Sequence, residues 1–260
     1  MTATATCDLT TLYHQTEDQF FSTTCPLQRR YCARVISYFT DEYAAPWNLL
    51  LVRVGRACRD DARVATLDQI RRTLLPVQVV VHEENAEQWG ALLIGAGFQA
   101  AEKTTAMVLE LSRFVPCVSE CCSQISLTRN LDDWAAPLGS AFSILPEGVK
   151  HYQARHQRAL DAGQSLYHFT LSMAGQVMSC LTLSISDAGA RLNDVGTMAG
   201  YRGKGYGTRL IQAALLHASR LGAQRCFLEA SEKGCSLYRA LGFEPLFDYQ
   251  SFTRGPIAGA

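Results

Sequence analysis

No lysine or arginine precedes Arg29, and the opening MTATATCDLTTLYHQTEDQFF contains no apolar run of the kind a leader requires. The expectation is therefore no signal peptide and a cytoplasmic location. Net charge is lacking too: 24 Lys+Arg balance 24 Asp+Glu in 260 residues. A balanced chain exerts no global pull on nucleic acid or on an anionic membrane, and it carries no basic stripe, so neither is expected as a partner. Any electropositive site must be local. The run 162–186 carries no Asp, Glu, Lys or Arg, but it holds His168, several Ser and Thr, and an AGQ break at Ala174 to Gln176. Polar content of that density is wrong for a bilayer span, and the break suits a hairpin. Cysteine is plentiful at ten residues, yet CxxC and Cys/His ligand spacings are missing, even in the CVSECC cluster at Cys117 to Cys122. That excludes an obvious metal site, and without a secretion signal it favours reduced, mostly buried thiols.

What remains is an ordinary globular composition, 48% hydrophobic and 18% charged, long enough for one large domain or two small ones. The clearest pattern lies in the C-terminal half. RLNDVGTM (Arg191 to Met198) reads as a strand that ends at a glycine-rich turn. In the following TRLIQAALLHASRLG, Leu210, Ile211, Ala214, Leu215, Ala218 and Leu221 share one helical face, and Gly222 stands where a helix C-terminus favours a left-handed residue. QRCFLEA (Gln224 to Ala230) is then a strand and SEKGCSLYRALGF a short helix, with Ser231 placed to cap it and Gly242 to stop it. LFDYQSFTR closes as a strand. Upstream, SLYHFTLSM and QVMSCLTLSIS read as a hairpin, preceded by helices in LDDWAAPLGSAF and PEGVKHYQARHQRALDAG. The order is two helices, three antiparallel strands, helix, strand, helix, strand. This predicts an α/β domain of the α+β type, with a mixed, mostly antiparallel sheet flanked by helices.

The N-terminal half ends on a similar plan. PVQVVVHEENAEQWGALLIGAGFQ matches QRCFLEASEKGCSLYRALGFE as strand, acidic end, short helix and Gly-Phe. An offset of 145 sets Gly97 on Gly242 and Leu93 on Tyr238. The expected organisation is a diverged copy of the same fold in 1–115, a linker in 116–124, and the functional domain in 125–260.

GYRGKGYGT (Gly200 to Thr208) interleaves glycines with Arg202 and Lys204 just ahead of a helix. Convergent N–H groups and the helix dipole at such a point attract an anion, and glycine lets the ligand approach without a Cβ in the way. A Walker loop needs GxxxxGK[ST], and a dinucleotide fold needs GxGxxG in a parallel βαβ unit; neither spacing is met. R-x-x-G-x-G is met, by Arg202, Gly205 and Gly207. Together with the later LYRALGF, in the right order and about thirty residues on, the sequence resembles the GCN5-related N-acetyltransferases (GNAT) over roughly 125–255. A glycine-rich turn without a ligand is the competing reading, and it leaves the interleaved charges and the Tyr-Gly-Phe helix unexplained.

The resemblance implies the GNAT acyl-CoA N-acyltransferase fold, in tandem if the N-terminal copy is real, with acetyl-CoA as co-substrate and no metal. It places the pyrophosphate on Gly203, Lys204, Gly205, Tyr206, Gly207 and Thr208 with Arg202 beside it. The pantetheine arm would lie along Gly196, Thr197 and Met198, with Ser231 near it. Tyr238 matches the family tyrosine that protonates the leaving thiolate. Asp194 and Glu229 are candidate bases, although the usual family glutamate position falls nearer Asn193. His151, His156 and His168 receive no catalytic assignment. In the N-terminal copy Leu93 replaces Tyr238 and no R-x-x-G-x-G precedes it, so that half would serve as scaffold. The implied activity is acetyl transfer to a primary amine of a small molecule or amino acid, by a monomer or homodimer. A non-catalytic acyl-CoA-binding regulator is the alternative.

Overall fold

The computed structural model describes residues 2–40, 48–53, 60–72, 76–116 and 124–254, with side chains from residue 9 in the first helix and residue 64 in the second. The first half of the chain runs α1 (Thr2–Thr24), β1 (Leu27–Cys32), β2 (Val35–Phe39), β3 (Asn48–Val52), α2 (Asp60–Arg72), β4 (Val77–His82), α3 (Ala86–Gly95) and β5 (Gln99–Glu110). The second half runs β6 (Gln124–Thr128), α4 (Leu131–Phe142), α5 (Pro146–Asp161), β7 (Leu166–Met173), β8 (Gln176–Ser186), β9 (Gly189–Thr197), α6 (Tyr206–Arg220), β10 (Arg225–Ser231), α7 (Cys235–Ala240) and β11 (Glu244–Thr253). The fold is the expected mixed, mostly antiparallel sheet flanked by helices. Strand β6 was not expected: its exposed and half-buried residues carry no strong period. Helix α7 is capped by Gly234, without a side-chain cap, and Ser231 ends β10 instead of capping the helix.

Two compact units result. Unit 1 comprises Met1–Thr24, Met107–Ala230 and Gly234–Leu246, and unit 2 comprises Cys25–Ala106, Ser231–Lys233 and Phe247–Ala260. Compactness thus groups the N-terminal helix with the C-terminal half, whereas the sequence reading divides the chain at residue 115.

In unit 1 the strands lie in the order β10-β9-β8-β7-β6, with β10 parallel to β9 and the others antiparallel. Ala174 (φ 50°) and Gly175 (φ 80°) make the β7–β8 turn, as the AGQ break predicts. Alternation then sorts the side chains. Phe169, Leu171, Leu181, Leu183, Ala190 and Leu192 bury against the stripe Leu210, Ile211, Ala214, Leu215 and Ala218 of α6. Burial of this kind stabilises by about 2 kcal/mol for each large aliphatic side chain. The opposite face is buried but polar, with His168, Thr170, Thr182, Ser184 and Arg191 almost inaccessible to solvent. Helices α4, α5 and α1 pack there. Helix α4 is opened by Asn130, whose side chain accepts from Asp132 N, and closed by Ser143 in the left-handed region.

In unit 2 the order is β1-β2-β3-β4-β11, with β3 and β4 parallel. Its core gathers Leu50, Ile70, Val79, Val81, Trp89, Leu93 and Phe98. The last strand of the chain is therefore paired into this unit, Tyr249 to Thr253 lying opposite His82 to Gln78. In unit 1 the end of β5 lies beside β10: Leu111 N donates to Gln224 O and Arg225 meets Glu110.

The internal repeat has a backbone counterpart. Phe98 N donates to Leu93 O at 3.0 Å and Phe243 N to Tyr238 O at 3.0 Å; Gly97 N donates to Ile94 O and Gly242 N to Arg239 O. Gly97 and Gly242 have φ of 84° and 93°. The two helix ends share these two bonds and a left-handed glycine at the offset of 145 read from the sequence.

Cys180 and Cys226 are buried free thiols and Cys235 a half-buried one, and Cys25 is buried. Cys32 is disulfide-bonded, so the expectation of reduced thiols does not extend to it. The CVSECC cluster lies outside the described residues. No helix among the described residues is long and apolar enough to cross a membrane, and no group of three or more His, Cys, Asp or Glu there could hold a metal ion.

Candidate active site

Strands β9 and β10 pair at Cys226↔Ala190 and Phe227↔Arg191, and among the described residues they pair no further. Gly189 permits this contact: a Cβ there would lie 3.0 Å from Arg225 O, and its φ is 135°. Beyond Arg191, β9 runs on to Thr197 held by β8 alone, through Cys180↔Gly196 and Ser179↔Thr197. One edge of β9 is thereby left open, a place where an extended ligand can add as a strand. In unit 2, β3 and β4 stay paired from Asn48↔Val77 to Val52↔Val81. Among the described residues these two strands do not part.

The glycine turn follows. Gly203 and Gly205 both have φ of 76°, and Gly205 caps α6 from the left-handed region with no side chain over the first N–H groups. A Cβ at either glycine would meet nothing, so these positions are set by backbone conformation, not by crowding. Gly207 is helical; a Cβ there would make ordinary contact with Thr197 Oγ1 at 3.5 Å. Tyr206 is buried, and Thr208 lies in the first turn of α6. Arg202 turns back from the turn, donating to Thr197 O at 3.2 Å and Ala141 O at 2.9 Å. Lys204 stands over the Tyr201 ring. Gly196 has a packing reason of its own: a Cβ would fall 2.9 Å from Ala141 Cβ on α4. Met198 N donates to Met178 O, which fixes the exit from β9.

Asp194 sits in a β-bulge. The register steps from Cys180↔Gly196 to Thr182↔Asn193, and Asp194 takes a left-handed φ of 57°. Its Oδ1 accepts from Tyr152 Oη on α5 at 2.8 Å, and its Oδ2 lies 3.9 Å from His156 Nε2. Burial raises its carboxyl to about 6, against the opposing influence of Thr182, Tyr152 and the Arg155 charge. His156 Nδ1 lies 2.8 Å from His168 Nε2 on β7. Burial holds both rings below the usual histidine range, His168 at about 4. Trp134 of α4 stacks on Tyr152 and meets both imidazoles. The sequence showed His156 and His168 as unassigned and gave no sign of Tyr152; only the fold brings α5 over β7 and β9.

Glu229 is placed elsewhere. Its Oε2 is 3.5 Å from Tyr13 Oη and 3.9 Å from Arg191 Nη2. Arg191 is 2% exposed, lies over the Tyr13 ring at 4.7 Å and donates to Asn193 Oδ1. This cluster joins α1 to β9 and β10. Tyr238 is buried on α7, against Phe243, and its phenol is pushed up by burial first and by neighbouring Cys226 and Cys235 second. Among the described residues its hydroxyl makes no hydrogen bond. His151 lies on exposed helix surface near Glu147.

The parallel strands part beside a glycine-rich helix start, in a mixed, mostly antiparallel α/β sheet domain. Residues 131–243 match the model of the acetyltransferase (GNAT) family. No curated relative matches the sequence. Among solved structures the chain is similar to a GCN5-related N-acetyltransferase from Kribbella flavida, at 15% identity, TM-score 0.68, covering 92% of this chain and 93% of that one. It is similar to a GCN5-related N-acetyltransferase from Sphaerobacter thermophilus at 16% identity and TM-score 0.62, covering 86% and 78%. A tandem GNAT protein from the clavulanic acid biosynthesis pathway aligns at 17% identity and TM-score 0.59, covering 86% and 79%. At these identities the likeness is one of fold.

Proposed function

We propose that the protein is an acetyl-CoA-dependent N-acetyltransferase acting on a primary amine of a small molecule or amino acid. The observation that carries this reading is the parting of β9 and β10 next to the bare N-terminus of α6. The amides of Gly203 to Thr208 would receive the pyrophosphate, and the open edge at Gly196, Thr197 and Met198 the pantetheine arm. Arg202, committed to two carbonyls, would shape the turn more than it contacts the phosphates. The exposed Ser231 at the end of β10 would stand beside the arm.

Direct attack forms a bond between the amine nitrogen and the thioester carbonyl carbon, and the C–S bond breaks with its electron pair on sulfur. Tyr238 gives its hydroxyl proton to the thiolate and regains one from solvent. Asp194 takes the proton that the nitrogen loses. Between the two carboxylates the geometry favours Asp194, because Glu229 lies against Arg191 and Tyr13. Residues of unit 2, where the strands stay paired and Leu93 stands at the tyrosine position, would act as a diverged copy without the chemistry.

Calorimetry with acetyl-CoA, followed by thiol release over a panel of amines, amino acids and peptides, tests the reading. Binding with turnover of an amine is expected. No binding would overturn it, and binding without any thiol release would mark a regulatory acyl-CoA binder.

A further inference from the structure

A buried polar cluster lies behind the bulge of β9, and with Asp194 charged and both histidines neutral its parts are mutually consistent in one tautomer pattern. Asp194 keeps 11% of its side-chain surface, whereas His156 is fully enclosed. Oδ1 is satisfied by Tyr152, but Oδ2, His156 Nε2, Thr182 Oγ1 and Trp134 Nε1 are buried without a hydrogen-bond partner among the described residues. Buried polar atoms left in this way are costly, and two of them face each other at 3.9 Å across the Asp194–His156 gap. A bare imidazole lone pair against a carboxylate would be repulsive, so the proton of neutral His156 belongs on Nε2. Then Nδ1 must accept, and the 2.8 Å contact makes His168 Nε2–H the donor. In the neutral pair so fixed the His168 proton points at His156, and the His156 proton points at Asp194.

We propose that Tyr152 and His156 are positioning residues for Asp194, holding its two oxygens so that the carboxylate meets the acceptor amine in one orientation, with His168 setting the tautomer of His156 that this requires. The proposal rests on Asp194 as the proton acceptor of the proposed reaction. The same arrangement bears on how a base can work from a buried site. Burial alone would keep the carboxyl protonated, and Thr182, Tyr152 and the Arg155 charge act against it, leaving the carboxyl at about 6.

The other groups facing Asp194 do not replace these two. Thr182 of β8 and Arg155, also on α5, both favour the charged carboxylate. Cys180 of β8 points its Sγ at Asp194 backbone O at 3.6 Å, with its thiol pushed up by burial. Trp134 of α4 brings no charge. The ionisable groups of α1, Tyr13 and Glu17, and Glu229 of β10 interact with Arg191. Tyr152 donates to Oδ1 at 2.8 Å, and it lies one helical turn from His156 on the same face of α5.

The test is a carbon-13 carboxylate titration of the full-length chain, with the Asp194 resonance assigned by Asp194→Asn. Tyr152→Phe removes one oxygen and keeps the ring on Trp134. It should raise the Asp194 midpoint by about one pH unit, a tenfold change in proton affinity, as expected for losing a hydrogen bond to a charged group. Nitrogen-15 shifts should place a proton on Nε2 of both His156 and His168. An unchanged midpoint, or the Nδ1 tautomer on His156, overturns the proposal. Should the amine panel yield a substrate, the acidic limb of kcat/KM should move with the titration in Tyr152→Phe. An acidic limb that survives Asp194→Asn would instead refute Asp194 as the base, and that outcome is separate from the titration.

Discussion

Asp194 and Gly205 both hold left-handed backbone, yet only one of them is written in the sequence as glycine. Gly205 at φ 76° starts α6 with its N–H groups uncovered. Alanine at such a φ costs on the order of 1 kcal/mol and tilts the amides that follow. Gly205→Ala should therefore weaken acetyl-CoA binding about tenfold by calorimetry, while the urea midpoint falls only slightly. Asp194 reaches the same region through a bulge, which leaves no mark in the local pattern of RLNDVGTM. The buried histidines carry a pH prediction. His168 falls from 6.5 to about 4 in the fold, so between those values the unfolded chain binds more protons and stability rises with pH. That stability is complete above pH 6.5 and is lost as pH falls toward 4. Asp194, raised from 3.8 to about 6, has the opposite sign: its contribution is present below 3.8 and lost as pH rises through 6. His156 adds to His168, so urea unfolding should show a net gain from pH 4.5 to 6.5. His168→Gln should flatten that gain by up to about 3 kcal/mol. The glycine turn could be read from sequence because backbone conformation selects glycine directly. The histidine pair could not, because its partners lie on different elements.

Elements whose signal is a continuous period were legible. The α6 stripe, the β7–β8 hairpin and the Gly-Phe helix ends stand where periodicity and capping put them. Strand β6 was missed because an edge strand with one neighbour needs little apolar alternation. Helix α1 belongs to unit 1 through features with no local signature: Tyr13 under Arg191, and Phe20 against His156 and within a cluster with Ala159 and Leu166. Arg191 is held by Asn193 and Tyr13 and lies close to Glu229. Removing one member of such a buried set leaves uncompensated charge, typically a loss of 3–5 kcal/mol. Arg191→Leu should therefore release α1 before the rest of the unit. The readout is early hydrogen exchange confined to residues 9–24, with α6 amides still protected. Uniform loss of protection would instead show that α1 is no separate element of the fold.

At the scale of the whole molecule the sequence suggests two halves in tandem, divided at residue 115. Unit 1 includes α1 and the end of β5, and unit 2 is completed by β11. A chain cut to 125–260 would lose Tyr13, Phe20 and Met107 to Glu110 from unit 1, and β11 would have no β4 to pair with. Such a fragment should be insoluble or bind the hydrophobic dye ANS, and a well-dispersed amide spectrum from it would contradict the interdependence described here. No local pattern could have revealed the exchange, because β11 reads as the same strand whichever neighbour it joins. The exchange also sets a timetable for the newborn chain. Residues 25–106 leave the ribosome with β4 paired to β3 on one side only, and they wait for more than a hundred further residues before Tyr249 to Thr253 arrive. The half made first is the half finished last, and its exposed apolar strand edge is the stage at which a chaperone would matter most.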